Sequence, residues 1–491
     1  MGFDNFVQRT EMVIFIPGYL TINGEKELDL DEKFGETQFC KRINPAFFFE
    51  ESYLERTKTF YLWNEDVEID YELNGECRKF NISVSIYLSA LDVKDQEEKS
   101  NKKNKEEPFT IPLTFSILVE NAPVSVDDLI SIPFFLAWRN GCGCEGNNSP
   151  NPFIDSLKGR VSELLGAELV ISKKGRFFIS AIEVDWDKLK KEFKENASIH
   201  SLVTTYSHEL YGLAVTDEGY RAVKPDYARK RIEEWSHGNR IYFEQIVSPT
   251  SMILIKADRS RIDFEKMKLS KCCFWSEYVL AHEEEERMVC HHGAFYQGQY
   301  IALTFSTIEM LGELVKRSLK NVKTKKENLN EKHIETVLNN IKNLRVRLES
   351  YLRILSPKRV SKLGGITILI ERMYEARGLS TFSRELEEAI GMLTEIMKEG
   401  QEIIEKRLEK EKFHHLEIGA TVLEALPISY FTQWALRFFN IHLPTPFVVG
   451  VTIPALFLFW WVYNGRKVKR WEKEQSATFV KMAEKILDSV F

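Results

Sequence analysis

Ile441 to Tyr463 contains no Asp, Glu, Lys or Arg. In a helix rising about 1.5 Å per residue, roughly 20 such residues cross a hydrocarbon core. Trp460, Trp461 and Tyr463 close the run where an aromatic belt would lie, and Arg466, Lys467, Lys469 and Arg470 follow at once. Pro454 falls inside it and predicts a kink. Leu416 to Phe439 is equally long but carries Glu417, Glu424 and Arg437, and a carboxylate near mid-span costs on the order of 3 kcal/mol. Its apolar remainder, among it Val422, Leu426, Phe431 and Trp434, offsets that cost. A two-helix transmembrane hairpin over 416–464 is therefore expected, with spans at about 416–439 and 443–463.

Orientation follows from the basic flanks. Arg407, Lys410 and Lys412 precede the first span, and the cluster after Tyr463 follows the second. The positive-inside rule then puts both termini in the cytoplasm and makes this a multi-pass protein of the cell membrane, with the lipid bilayer as its first partner. Residues 465–491 alternate apolar and charged positions at helical spacing (Phe479, Met482, Ile486, Val490) and read as a cytoplasmic amphipathic tail.

Ahead of the hairpin two heptad stripes predict a helical, coiled-coil-like stalk over 306–415. Ile334, Val337, Ile341, Leu344, Leu348, Tyr351 and Leu355 form the first, ended by Pro357. Phe382, Leu386, Ala389, Leu393, Ile396 and Ile403 form the second. Two arrangements fit: an antiparallel pair folded on its own domain, or a stalk joining copies in a homo-oligomer.

Residues 1–305 read as an α+β body of two subdomains, 1–150 and 151–305, divided by the Gly-, Asn- and Pro-rich stretch Gly141 to Pro152. Met12 to Ile16 is a buried strand halted by Pro17-Gly18. Lys79–Leu88 and Phe109–Val119 are strand-like, separated by the charged run Asp92–Glu107. Glu168–Ser172 and Arg176–Val184 suggest a hairpin turned at Lys173-Lys174-Gly175, and Arg240–Ile246 with Ser251–Ile255 another about Pro249. Asp155–Leu165 and Pro225–Trp235 are helical.

A net charge of -6 gives the chain no basic character with which to draw nucleic acid. Seven cysteines at irregular spacing do not make a secreted disulfide framework, and a reducing compartment is the simpler reading. Cys142 and Cys144 are a weak candidate metal pair, one residue apart where structural zinc sites use two to four. Cys272-Cys273 and Cys290-His291-His292 are the available partner cluster. His208-Glu209 lacks the second histidine of H-E-x-x-H. Glu283 to Glu286 is either a solvated face or a cation sensor. No G-x-S-x-G, P-loop, G-x-G-x-x-G or kinase set is present, and neither a catalytic residue nor a cofactor is assigned. Glu417, Thr421 and Glu424 share one face of the first span. Intramembrane carboxylates mark ion pathways by default, and the bland alternative is a protonated or locally paired Glu.

A stalk helix feeding Leu416, paired C-terminal spans and cytoplasmic termini resemble the layout of CorA-type magnesium transporters. The resemblance covers about the last third of the chain. That family's Gly-Met-Asn signature is absent, since Arg437 to Pro446 reads RFFNIHLPTP. The resemblance implies an oligomer around a pore but carries over neither ion selectivity nor any site residue. The expected function is an oligomeric ion-conducting or transport protein with a cytoplasmic sensing domain. The alternative is a membrane-tethered interaction or signalling module that conducts nothing. The cytoplasmic ligand or protein partner is not identified by the sequence.

Overall fold

The computed structural model describes residues 2–22, 30–73, 76–91, 109–138, 151–238, 242–257 and 285–324, most of 349–388, and scattered positions within 339–458. The chain divides into two units, Met1–Leu311 with Glu349–Ser383, and Gly312–Leu348 with Arg384–Phe491.

The first unit is built on a nine-stranded mixed sheet. Its strands are β1 (Val7–Ile22), β2 (Thr57–Leu73), β3 (Glu76–Leu91), β4 (Phe109–Val119), β5 (Glu168–Ile171), β6 (Phe177–Val184), β7 (Ser236–His237), β8 (Phe243–Val247) and β9 (Ser251–Ala257). They lie in the order β2-β3-β4-β1-β6-β9-β8-β7, with β5 also on β1. The β6–β9 pair is parallel and the other pairs are antiparallel. The expected β3–β4 and β8–β9 pairs are both present. The charged run between β3 and β4 lies outside the described residues.

Side chains alternate across the sheet, so the two faces of β1 read differently. Met12, Ile14 and Ile16 join an apolar cluster with residues of α1 (Val126–Pro133), α2 (Pro152–Leu165), α3 (Trp186–Phe193), α4 (Ile199–Thr205) and α5 (Ser207–Val215), and Ile232 of α6 (Pro225–Trp235) joins them. Local signals fix these helices. Asn151 caps α2 through bonds from the Phe153 and Ile154 amides, with Pro152 at its first position, and Gly166 in the left-handed conformation ends it. Asp185 caps α3 in the same way.

The opposite face is covered by α7 (Ala294–Thr324). Phe15 packs on Phe295, and Gly298 lets the helix close on Phe15 and Ile179, where a Cβ would lie 2.6 and 2.9 Å from their carbons. Polar contacts fix the helix along the strands. Gln299 Nε2 donates to Thr59 Oγ1 (2.9 Å) and Ser89 Oγ (2.7 Å). Ser306 Oγ donates to the Leu113 carbonyl and accepts from Gly18 N at 3.1 Å. A further helix, α8 (Gly364–Ala376), belongs to the same unit.

Three expectations are corrected. Pro17-Gly18 does not halt β1, which runs on to Ile22. A proline offers no N–H to a ladder, but the Pro17 carbonyl still accepts from Ser172 N at 2.9 Å. Nor do β5 and β6 form a hairpin. Both pair antiparallel with β1, Ile171 opposite Gly18 and Phe177 opposite Phe15, so Ser172–Arg176 loops out opposite Ile16 and Pro17. The Lys-Lys-Gly turn chemistry signals a chain reversal, but the shared edge of β1 makes it a bulge.

The third correction concerns the membrane. Among the described residues no helix is long and apolar enough to cross one. That finding overturns the fold class with a transmembrane hairpin and the multi-pass cell-membrane location drawn from it. The longest described helix, α7, is long enough but carries Glu309, Glu313, Lys316 and Arg317 besides Gln297, Gln299 and Ser306, far too polar for hydrocarbon. Residues 416–463 lie outside the described residues except Leu458.

Gly18 is the tightest point of β1: a Cβ there would lie 2.6 Å from the Val170 carbonyl oxygen, a backbone atom. Gly18→Ala is expected to lower stability by about 2–4 kcal/mol, read as a reduced urea midpoint at unchanged slope.

Candidate functional site

Between the sheet and the root of α7 lies a buried polar cluster. Glu11 belongs to β1 and points to the α7 face, in the same alternation as Phe15. It is completely buried, with 0% exposure. Oε2 accepts from the Val289 amide at 2.9 Å, and Oε1 has no hydrogen-bond partner among the described residues. Burial pushes its carboxyl up to about 7, because an apolar surround disfavours the charged form. The Val289 amide, Arg9 and Arg287 act in the other direction, and Glu120 adds a like charge.

Val289 lies in a short 3-10 stretch, Met288–Gly293, directly ahead of α7. His292 adopts φ 53° and Gly293 φ 68° as the chain turns into the helix. At Gly293 a Cβ would sit 2.8 Å from the Phe48 ring, so the turn needs glycine for space as well as for conformation. Cys290 is joined to Cys40 by a disulfide across 250 residues of sequence. That bond corrects the expectation of unpaired cysteines, since spacing alone does not bring distant residues together.

Glu285 and Arg287 bracket the same junction. Glu285 Oε2 accepts from Arg42 N (2.8 Å) and Ile43 N (3.3 Å), and Oε1 from Arg287 N (3.3 Å). Arg287 donates to the Phe39 carbonyl at 2.6 Å and to the Tyr87 hydroxyl at 2.8 Å, and its Nη2 stands 3.6 Å from Glu120 Oε1. The guanidinium also lies over the rings of Phe39 (4.7 Å) and Tyr87 (5.4 Å). Phe39 stacks flat on Phe295 of α7, centroids 3.6 Å apart. Segment 39–43 and the root of α7 are thus tied by a covalent bond, charge-assisted hydrogen bonds and an aromatic stack. Glu285 has both oxygens engaged by backbone amides. Glu11 has one oxygen without a hydrogen-bond partner among the described residues, and burial pushes its carboxyl up.

Of the run Glu283–Glu286 the described residues are Glu285 and Glu286, and they differ in environment. Glu285 is buried, and Glu286 is exposed with Lys41 Nζ at 3.7 Å. Among the described residues no group of three or more His, Cys, Asp or Glu side chains could hold a metal ion. His208 Nε2 bonds the Val223 carbonyl at 2.9 Å. Cys142, Cys144, Cys272 and Cys273 lie outside the described residues. So do Glu417, Thr421, Glu424, Trp460, Trp461, Tyr463, Arg466 and Lys467. Glu11 and Arg287 were not singled out by sequence, and Glu285 was noted only as part of the run Glu283–Glu286. The signal available for Glu11 was a carboxylate beside the apolar run Met12–Ile16 in a strand buried on both faces.

No family model, curated protein or solved structure matches the chain.

The stability linkage of Glu11 has a definite sign. Its carboxyl is raised from about 4.5 to about 7 in the fold, so its contribution is fully present below about pH 4.5 and is lost as pH rises through 7. Glu11→Gln stays neutral throughout. It is expected to exceed the parent by about 3 kcal/mol at pH 8 and to match it near pH 4, in urea unfolding followed across that range.

Proposed function

We propose that the first unit is a sensing domain, and that its responsive element is the junction of Glu11 with the 285–293 segment at the root of α7. The observation that supports this is a completely buried carboxylate on the central strand, with one oxygen unpartnered among the described residues and the other holding the amide next to Cys290. Neutral Glu11 keeps the segment docked. Ionised Glu11 gains hydration when the segment lifts, so rising pH favours release. Arg9, Arg287 and Glu120 are the charged groups that act on it, and the pull of the two arginines keeps its titration near neutrality. This reading takes up the sensing and signalling part of the sequence expectation and does not extend to ion passage.

Helix α7 is the element to which such a change is delivered. Its residues to Leu311 belong to the first unit and those from Gly312 to the second.

Hydrogen exchange across residues 285–293, corrected for intrinsic rates, tests the reading. Opening of the Val289 amide should rise about tenfold between pH 6 and pH 8, the factor that follows from a carboxyl titrating at about 7 when docked and in the ordinary range when released. In Glu11→Gln the same amide should show no such rise. A flat profile in the parent, or an equal rise in both chains, would discard the sensing role.

A further inference from the structure

The disulfide at the root of α7 lies wholly inside the fold. Cys40 and Cys290 are both at 0% exposure, and Phe39, Val289 and His291 beside them are buried as well. Thiol–disulfide exchange needs a thiolate to reach one of the sulfurs, so a bond with neither sulfur exposed exchanges only when the chain around it opens. The residue that precedes Cys290 is Val289, whose amide Glu11 holds at 2.9 Å. Lifting of that amide is therefore also the motion that uncovers the Cys290 sulfur.

The charges that act on Glu11 are Arg9 on its own strand, Arg287 on the segment and Glu120 just past β4. On β6, Ala181 stands opposite Glu11, and Glu183 is paired with Lys256 of β9 at 2.9 Å. His291 Nε2 lies 3.4 Å from the Glu285 carbonyl, and His292 packs on the Phe243 ring. Helix α7 brings no Asp, Glu, Lys or Arg before Glu309, and burial pushes its Tyr296 hydroxyl up.

The two cysteines are also held together without their bond. Glu285 accepts from the Arg42 and Ile43 amides, Arg287 donates to the Phe39 carbonyl, and Phe39 stacks on Phe295. These contacts flank both sulfurs in sequence and do not need the covalent link. With the bond cut they keep the thiols adjacent, so that it re-forms on oxidation.

We propose that Cys40–Cys290 is a reversible thiol switch whose reduction by a dithiol is gated by Glu11. When the 285–293 segment has lifted, one thiolate of the dithiol attacks the sulfur of either cysteine. The other cysteine leaves as a thiolate and takes up a proton. The second thiol of the reagent then displaces the first cysteine. The reagent ends as a disulfide, and Cys40 and Cys290 end as thiols. Loss of the covalent tie lets the root of α7 open more often at every pH, so a rise in pH leaves a change that lasts until reoxidation. This inference rests on the sensing reading of Glu11.

The full-length chain and Glu11→Gln are incubated with dithiothreitol at pH 6, 7 and 8 and quenched by alkylation, and Cys40 and Cys290 are followed by peptide mass spectrometry. Dividing the two rates at each pH removes the changing thiolate fraction of the reagent. The parent-to-variant ratio should rise about tenfold from pH 6 to pH 8, in step with opening of the Val289 amide. The reduced parent should keep its far-ultraviolet circular dichroism and open that amide at least about tenfold more often at pH 6 than the oxidised chain does. Should Glu11→Gln fail to fold, the urea-unfolded parent serves as the divisor. A constant ratio beside pH-dependent exchange at Val289 overturns the gating and leaves the sensing reading intact. A constant ratio with flat exchange overturns both. Unfolding of the parent on reduction overturns the switch, since the bond is then structural only.

Discussion

The first unit depends on a single strand that is hydrogen-bonded along both edges. β1 pairs with β4 from Met12 to Ile22 on one side, and with β6 and then β5 on the other. Its two faces are closed as well, by the α1–α6 layer and by α7. From Thr10 to Ile22 a side chain on β1 therefore has no route to water except by moving something packed on it. That constraint pushes the Glu11 carboxyl up to about 7, and among the described residues the Val289 amide is its hydrogen-bond partner.

The faces of the sheet divide the labour. The α1–α6 face is mainly apolar, a cluster rich in Ile, Leu, Val and Phe, with the Ser248, Thr250 and Ser251 hydroxyls donating to the Ala214 carbonyl of α5. The α7 face carries the polar ties: Gln299 to Thr59 and Ser89, Ser306 to Gly18 and Leu113, Val289 to Glu11. Hydrogen bonds have geometry and hydrophobic burial does not, so these ties set where α7 lies along the strands. Polar ties in a dry layer are also the interactions most altered when a charge changes, and Glu11 lies in the same layer as the helix.

The bulge at Ser172–Arg176 shows how an interruption in one strand creates chemistry beside it. Because β5 and β6 share the edge of β1, the looped residues carry Arg176 out of register. Gly175, at φ 73°, lies so close to the Phe305 ring that a Cβ would meet its carbons at 2.4 Å. The Phe305 ring that closes on Gly175 also lies beneath the Arg377 guanidinium. A packing contact and a buried cation therefore depend on one α7 side chain.

Local pattern in the chain was enough for β3, β4, β8, β9, α2 and α6, because alternation, turn residues and caps act within a few positions. It misread Lys173-Lys174-Gly175, since a bulge and a hairpin use the same turn chemistry and differ only in what the flanking strands pair with. It assigned membrane spans from composition, whereas no described helix has the length and apolarity to cross a bilayer. By itself the sequence determined a mixed α and β body and the local starts and stops of its helices. Only the tertiary structure decided that Glu11 is sealed from water, that Cys40 meets Cys290 and that Arg377 reaches Arg176. Burial and proximity across 200 or more residues of sequence are properties of the packed chain, and no local window contains them.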